Sequence, residues 1–188
     1  MAIPAWKRFQ ELVYYSGEYL TIGLVVRWGP RGVARWFFRI PVGLYRAGLG
    51  WLVGHVVLVV TTRGRRTGRP HANATRYEQD PGTDTYFVLS GWEGRTDWYR
   101  NATRDPRVHL RVGSRSFWTI AEPLDADGAG RVLRMYLARN PFGARTIRRE
   151  TGVAFDGSDE RLREIASHYP AVALRGPQDR PVRDVPQM

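Results

Sequence analysis

The stretch from residue 107 to residue 122 constrains the fold more than any other part of the sequence. Over residues 107–112, three aliphatic residues alternate with two arginines and a histidine, which is the period of a strand with one buried face. The next two residues are glycine and serine, and the chain then returns as a second strand over residues 116–122. Two strands joined by so short a turn pair antiparallel. The sequence therefore predicts an antiparallel sheet.

Further strands, with few helices between them, extend this sheet. β-Branched and aromatic residues predict additional strands at residues 56–62, 72–78, 85–90 and 171–174. Helices are predicted at residues 96–105, 125–139 and about 159–168. Because the strands follow one another without regular crossover helices, we expect an α+β fold. Its sheet forms a small antiparallel barrel, not a doubly wound parallel sheet.

No linker divides the chain into two large domains. We assign residues 1–54 to an N-terminal helical segment rich in aromatic residues and arginine, and residues 55–175 to the barrel. Residues 176–188, with three prolines, are assigned to a disordered tail. The N-terminal segment either covers the sheet or contacts an anionic membrane surface through its basic and aromatic side chains. The sequence leaves both alternatives open.

Charge and composition narrow the possible functions. The net charge is +11, and Lys7 is the only lysine, so the excess of positive charge comes from arginine. The arginine side chain matches phosphate and carboxylate groups, which predicts an anionic partner. There is no cysteine, which excludes disulfides and thiolate metal sites, and the four histidines have no metal-ligand spacing. Because the arginines are spread over the whole chain, nucleic-acid binding is disfavoured.

The sequence gives no sign of a secretory leader. The longest uncharged stretch, residues 47–62, is shorter than the roughly 20 residues that a membrane-spanning helix needs. We therefore expect a cytoplasmic protein, with any membrane contact peripheral and at the inner face.

A glycine-flanked basic loop at residues 64–68 is the main candidate for an anion site. It offers backbone amides, the Thr67 hydroxyl and the guanidinium groups of Arg65 and Arg66. The loop lacks the Gly-Lys-Ser/Thr of a Walker sequence. From these residues alone, a phosphate or polycarboxylate site and a solvated hairpin loop both remain open. The serine–glycine step at 90–91 is small enough for a flat ligand to approach the backbone.

Five short motifs between residues 61 and 108 form a specific combination. They are Thr-Thr at 61–62, Gly-Arg-Arg-Thr-Gly-x-Pro at 64–70, Ser-Gly at 90–91, Asp-Trp-Tyr-x-Asn at 97–101 and Asp-Pro-x-Val at 105–108. The combination resembles the deazaflavin-dependent nitroreductase family, actinobacterial oxidoreductases that use coenzyme F-420. The resemblance covers about residues 42–122. It implies a split β-barrel of the FMN-binding type with flanking helices, a fold that often forms homodimers. It also implies coenzyme F-420 as the cofactor, with FMN as the alternative.

The resemblance also implies which residues bind the cofactor. The loop would hold the phosphate and the acidic glutamate tail, and the serine–glycine step would lie near the ring system. Two positions of the following helix would complete the groove, and a histidine stands where many members have an arginine. The implied cofactor-binding residues are Arg65, Arg66, Thr67, Gly68, His71, Ser90, Gly91, Trp98 and Asn101.

The implied reaction is hydride transfer from the reduced deazaflavin to an electron-poor small molecule: a quinone, a nitroaromatic compound or an activated alkene. Tyr136 is the candidate catalytic residue on the substrate side. The competing interpretation is that Tyr136 packs in the core with Leu133 and Leu137. A basic barrel that binds nucleic acid or anionic membrane without catalysis is the alternative function.

Overall fold

The structure, a computed structural model, describes residues 39–80 and 82–177, together with Ser16. Most of the predicted N-terminal segment and of the predicted tail lies outside the described residues, so those two assignments stay predictions. The helices of the described part are α1 (Ile40–Arg46), α2 (Asp97–Arg104), α3 (Ala126–Arg139), α4 (Gly143–Thr151) and α5 (Asp159–Ser167). The strands are β1 (Val57–Arg63), β2 (Pro70–Arg76), β3 (Glu78–Gln79), β4 (Thr85–Leu89), β5 (Arg107–Val112), β6 (Arg115–Pro123) and β7 (Ala171–Arg175).

These seven strands form one sheet in the order β2-β1-β5-β6-β7-β4-β3, and every neighbouring pair is antiparallel. Strand β6 joins the two halves of the sheet. Its first part pairs with β5, where Ile120 lies opposite Arg107, and its last part pairs with β7, where Ala121 lies opposite Leu174. Because one long strand changes partners in this way, the sheet curls. The predicted α+β split barrel is confirmed.

The hydrophobic core lies inside the curl of the sheet. Val108 and Leu110 are buried, as the alternation over β5 predicts. They belong to one cluster with Leu58 and Val60 of β1 and Val88 of β4. This packing fixes β1, β4 and β5 relative to one another, and so positions the loops that follow β1 and β4.

Helices α3, α4 and α5 form a second hydrophobic cluster that also includes Ala171, the first residue of β7. Leu133, Ile147 and Ile165, one from each helix, are buried in this cluster. Helix α3 begins with the Asp125 carboxylate accepting a hydrogen bond from the Gly128 amide at 2.7 Å. Helix α5 begins with the predicted serine cap, because the Ser158 hydroxyl accepts a hydrogen bond from the Arg161 amide in the first turn of the helix.

Helix α4 is absent from the sequence prediction. The Asn140–Pro141 pair ends α3 as expected, but α4 begins only two residues later and has no side-chain cap. Its sequence is polar, and Ile147 is its one large buried apolar side chain. Packing against α3 and α5 therefore stabilises this helix, and a local pattern of apolar residues does not reveal it.

Candidate active site

One side chain of α2 holds the basic loop between β1 and β2 in place. The Asn101 Oδ1 accepts hydrogen bonds from the backbone N of Arg65 at 3.2 Å and from its Nη1 at 3.0 Å. The Nδ2 of the same amide donates to Thr62 Oγ1 at 3.2 Å. Arg65 Nη1 also lies 2.9 Å from Asp97 Oδ1. Asn101, which is buried, thus joins the loop, β1 and α2.

The loop begins with a close approach of backbone and side chains. A Cβ atom at Gly64 would lie 2.7 Å from His71 Nε2 and 2.9 Å from Thr67 Oγ1. A larger residue at position 64 would therefore require the exposed His71 and Thr67 side chains to move, since the His71 ring lies directly beside the start of the loop. Gly68 follows with a φ of +67°, in the left-handed region that favours glycine. Thr67, Gly68 and His71 are all exposed.

Arg65 and Arg66 line a groove of about 640 Å³. Helix α2 contributes Arg100 and Arg104 to the same groove, together with Tyr99 and Thr103. Four guanidinium groups along one groove form a site suited to phosphate or to several carboxylates.

A larger cleft of about 1200 Å³ lies between β2, β4, the start of α2 and helices α1, α3 and α4. Its apolar lining side chains include Phe87, Leu89, Trp98 and Leu133. Its arginines are Arg39, Arg46, Arg76 and Arg95. Asp97 lines this cleft and pairs with Arg65 of the basic groove. The cleft and the groove therefore meet at the Arg65–Asp97 ion pair.

Three of the predicted site residues, Gly91, Trp98 and Tyr136, lie in the wall of the cleft. A Cβ atom at Gly91 would meet no atom within 4 Å, so a flat ligand has room to approach the backbone there. The predicted residue Ser90 is fully buried, and its Oγ lies 2.7 Å from Thr96 Oγ1. Thr96 occupies the predicted cap position of α2 but makes no capping hydrogen bond with its side chain.

The turn after Gly91 contains two strained residues. Trp92 and Glu93 have φ values of 51° and 55°, a region that residues with a Cβ atom rarely adopt. The Glu93 amide donates to the His168 carbonyl at 3.1 Å, and this contact holds the turn. The Trp92 side chain is exposed and lines the cleft. The strain therefore places an indole at the cleft.

The wall of the cleft also contains a buried ionic cluster. Glu78 is 2% exposed, and its Oε2 accepts a hydrogen bond from Arg139 Nη1 at 3.2 Å. The other carboxylate oxygen lies 3.5 Å from Arg76 Nε. The guanidinium carbon of Arg76 lies 3.7 Å from the centre of the Tyr136 ring, and the Tyr136 hydroxyl accepts from Asn140 Nδ2 at 3.0 Å. The cluster thus contains two cations, one anion and a tyrosine.

Tyr169 and Glu150, which also line the cleft, form a second polar pair. The Tyr169 hydroxyl donates a hydrogen bond to Glu150 Oε2. Burial, followed by the negative charge of Glu150, raises the pKa of Tyr169 far above its usual value. The phenol therefore stays protonated at neutral pH.

Sequence analysis did not identify Arg76, Glu78, Glu150 or Tyr169 as site residues. Arg76 and Glu78 are two residues apart, and side chains at that spacing in an extended chain point to the same face. The sequence alone could therefore have placed these two side chains together. Glu150 lies in α4 and Tyr169 in the loop between α5 and β7, and no local pattern connects them. Only the packing of α4 near the start of β7 brings that pair together.

Within residues 39–80 and 82–177, no group of three or more histidines and carboxylates is placed to hold a metal ion. Over the same residues, no helix has both the length and the apolar character required to cross a membrane.

A curled antiparallel sheet with a wide cleft beside an arginine loop defines a class of protein: split barrels with room for a flat ligand that has an anionic tail. Comparison with known families gives the particular family. The model of the F-420H(2)-dependent quinone reductase family matches residues 37–167, which is more than half of the chain. The chain therefore belongs to this family of oxidoreductases, whose cofactor is coenzyme F-420.

The chain is also similar to individual proteins. An F-420H(2)-dependent quinone reductase of Mycobacterium tuberculosis is 28% identical over 109 residues, which covers 53% of this chain and 71% of that protein. The solved structure of an F-420-H2 dependent reductase has a TM-score of 0.45 and 15% identity, covering 63% of this chain and 93% of that chain. The heme storage protein of Vibrio cholerae has a TM-score of 0.42 and 17% identity, covering 63% of this chain and 80% of that chain.

Proposed function

We propose that this chain oxidises reduced coenzyme F-420 and reduces a quinone in the large cleft. The observation that carries the proposal is the junction of cleft and groove at Arg65 and Asp97. A cleft with apolar walls suits a flat ring, and a groove with four arginines suits phosphate and carboxylate groups. The deazaflavin coenzyme has a ring at one end and an anionic tail at the other, so the residues present fit it.

The proposed roles of the predicted residues follow from their positions. Arg65 and Arg66, with the exposed Thr67 and Gly68, would bind the phosphate and the acidic tail. Asn101 uses both ends of its amide to hold the loop and would act through Arg65.

The remaining predicted residues surround the ring end of the proposed site. Gly91 and Trp98, in the cleft wall, would lie against the ring system. Ser90 would support that wall from behind through its contact with Thr96. His71 lies directly beside the loop and would contact the anionic tail there.

When bound, the reduced deazaflavin supplies the hydride for the reaction. The chain's own residues orient the two reactants, keep water from the apolar part of the cleft and neutralise charge. Tyr136 is almost fully buried and contacts Arg76 with the face of its ring. We therefore propose that Tyr136 shapes the substrate side of the cleft.

Binding and turnover measurements test this proposal. Intrinsic tryptophan fluorescence would follow titrations of the protein with oxidised coenzyme F-420 and with FMN, at two salt concentrations. We expect binding of the deazaflavin to weaken as salt rises, because its contacts are ionic. The oxidation of the reduced coenzyme is then followed with a quinone, a nitroaromatic compound and no acceptor. Preference for FMN, or no reaction with the quinone, would contradict the proposal.

A double variant tests the basic loop. Arg65→Ala with Arg66→Ala removes two guanidiniums of the groove and should weaken coenzyme binding at least about tenfold, because each charged hydrogen bond contributes about 1.5–3 kcal/mol. The matched control is Arg131→Ala, which removes an exposed arginine of α3 outside both cavities. If the double variant and the control bind equally well, the loop is only a solvated turn.

We also propose that the protein contacts anionic membrane, where many quinones reside. Helix α1 supports this, because Arg39 and Arg46 line the cleft while Ile40 is exposed. Leu49 and Trp51 follow α1 and are also exposed, Trp51 by 58%. Exposed apolar side chains next to arginines are typical of surfaces that lie on anionic lipid.

Sedimentation of the full chain with vesicles tests the membrane proposal. We expect binding to anionic vesicles, weaker binding to neutral vesicles, and a loss of binding in Trp51→Ala. Trp118→Ala, which removes a similarly exposed tryptophan from β6, serves as the control. Equal binding by both variants and by the unaltered protein would contradict the assignment of this surface.

The predicted homodimer stays a prediction. Trp118 and Ile120 are exposed on one face of β6, and a second copy packed on that face would bury them. Light scattering coupled to gel filtration measures the oligomeric state directly.

A further inference from the structure

The ionic cluster in the cleft presents one guanidinium toward the cleft in a fixed orientation. Arg76, the last residue of β2, has a side chain that is only 13% exposed, yet it lines the cleft. Glu78 lies 3.5 Å from its Nε and also accepts a hydrogen bond from Arg139. Two arginines therefore share this one buried carboxylate.

Two contacts restrict the plane of the Arg76 guanidinium. One is the ion pair with Glu78, and the other is the stacking of its carbon 3.7 Å from the centre of the Tyr136 ring. Asn140 donates to the Tyr136 hydroxyl and so holds the ring itself. A cation fixed in this way needs little reorganisation when negative charge develops beside it.

We propose that Arg76 is a catalytic residue that stabilises the negative charge developing on a quinone oxygen, and that Glu78 is its positioning residue. The inference rests on the proposed quinone reductase function. In the reaction, the quinone gains a hydride and becomes a hydroquinone anion, and one proton from water completes the hydroquinone. The reduced coenzyme is left oxidised by two electrons, and the proton that it releases returns to water.

Burial distinguishes Arg76 from the other arginines of the cleft. Arg95 has a side chain that is 63% exposed and pairs with Glu93, while Arg39 and Arg46 are also exposed. Water screens those charges, whereas a largely buried guanidinium interacts more strongly with a nearby oxyanion. The arginine most effective for this purpose is therefore Arg76.

Binding of a stable anion tests the proposal without turnover. The probes are 2-hydroxy-1,4-naphthoquinone, which is an anion at neutral pH, and the neutral 1,4-naphthoquinone, each titrated against tryptophan fluorescence. We expect the unaltered protein to bind the anion more tightly than the neutral quinone. Arg76→Gln should reduce this preference about tenfold or more, since a hydrogen bond to a charged group is lost. Arg131→Gln, which removes an equal charge outside the cleft, should leave the preference unchanged.

Turnover provides the second measurement. Arg76→Gln should lower kcat for quinone reduction about 100-fold, the usual effect of removing one oxyanion donor, while the affinity for oxidised coenzyme F-420 stays the same. Arg76→Lys should recover part of the loss, because it keeps the charge without the planar fork. Glu78→Gln should lower kcat when Arg76 is present. In a protein that already carries Arg76→Gln, the same change should have little further effect on kcat.

The outcomes separate this inference from the proposed function. If the unaltered protein reduces no quinone, the proposed function fails. If it reduces quinones and Arg76→Gln does so equally fast, only the role of Arg76 is wrong. Loss of coenzyme affinity with an unchanged preference for the anion would place Arg76 in the cofactor site and overturn the inference. The double variant Arg76→Gln/Glu78→Gln removes both charges of the pair. It replaces Arg76→Gln in the binding and turnover measurements if Arg76→Gln fails to fold.

Discussion

Replacing Asn101 with alanine removes the clamp between the basic loop, β1 and α2. Asn101 is 3% exposed and makes three hydrogen bonds, two with Arg65 and one with Thr62. After the change, the buried Thr62 hydroxyl loses its donor and the Arg65 backbone amide loses its acceptor. The Arg65 guanidinium keeps its contact with Asp97.

The expected loss follows from these three bonds. A neutral hydrogen bond contributes about 0.5–1.5 kcal/mol, one to a charged group about 1.5–3 kcal/mol, and a buried group left without a partner adds a penalty. Because Arg65 retains Asp97, we expect Asn101→Ala to lower the free energy of unfolding by about 2–4 kcal/mol. For a domain of this size, that corresponds to a decrease in Tm of about 5–15 °C.

Urea titration and thermal unfolding measure the change in stability, and coenzyme titration measures the change in affinity. Ser167→Ala is the control, because it removes an exposed hydroxyl hydrogen bond within α5 and should cost less than about 0.5 kcal/mol. The affinity for coenzyme F-420 should also fall in Asn101→Ala, since the loop loses its fixed position. Unchanged stability together with unchanged affinity would refute the clamp.

Three further predictions concern stability. Gly176→Ala should lower it by about 2–4 kcal/mol, because the new Cβ would lie 2.0 Å from Asp84 Oδ2 and Arg115 holds that carboxylate with hydrogen bonds of 2.5 and 2.7 Å. Gly130→Ala in α3 is the opposite case: its Cβ meets nothing within 4 Å, so denaturation should show a gain of about 0.5–1 kcal/mol. Burial raises the pKa of Tyr45 to about 12 from 10.0. The protonated phenol therefore contributes its full share to the free energy of unfolding below pH 10.0, and this contribution is lost as the pH rises to about 12. Urea midpoints across that pH window should decline less steeply in Tyr45→Phe, and equal slopes would contradict this.

Much of the sheet was predictable, because a strand with one buried face shows its period in the sequence. Strand β5 was predicted with its observed ends, and the return strand β6 was predicted to within one residue at each end. Helix α4 was not predictable in the same way, since only its contacts with α3 and α5 favour the helical state. The caps were partly predictable: the Ser158 side chain caps its helix, whereas Thr96 bonds to Ser90.

The candidate site divides along a similar line. The basic loop, the serine–glycine step and the Trp-Tyr-x-Asn helix are short, contiguous motifs, so the sequence alone indicated them. The sequence left two interpretations of Tyr136 open; the side chain is buried and also lines the cleft, and its catalytic role stays a prediction. The pairing of Glu150 with Tyr169 could not be predicted from the sequence, because it joins α4 to the loop between α5 and β7.

The sequence by itself determined the antiparallel strands, the position of the arginine-rich loop and the family, because each depends on residues close together in the chain. The tertiary structure decided which of the many arginines are buried and held in one orientation. Arg76 and Arg95 have the same side chain, but Glu78 and Tyr136 bury and orient Arg76, while Arg95 is mostly exposed and pairs with Glu93. Burial and orientation set the strength of an electrostatic interaction, and both depend on contacts between residues distant in sequence.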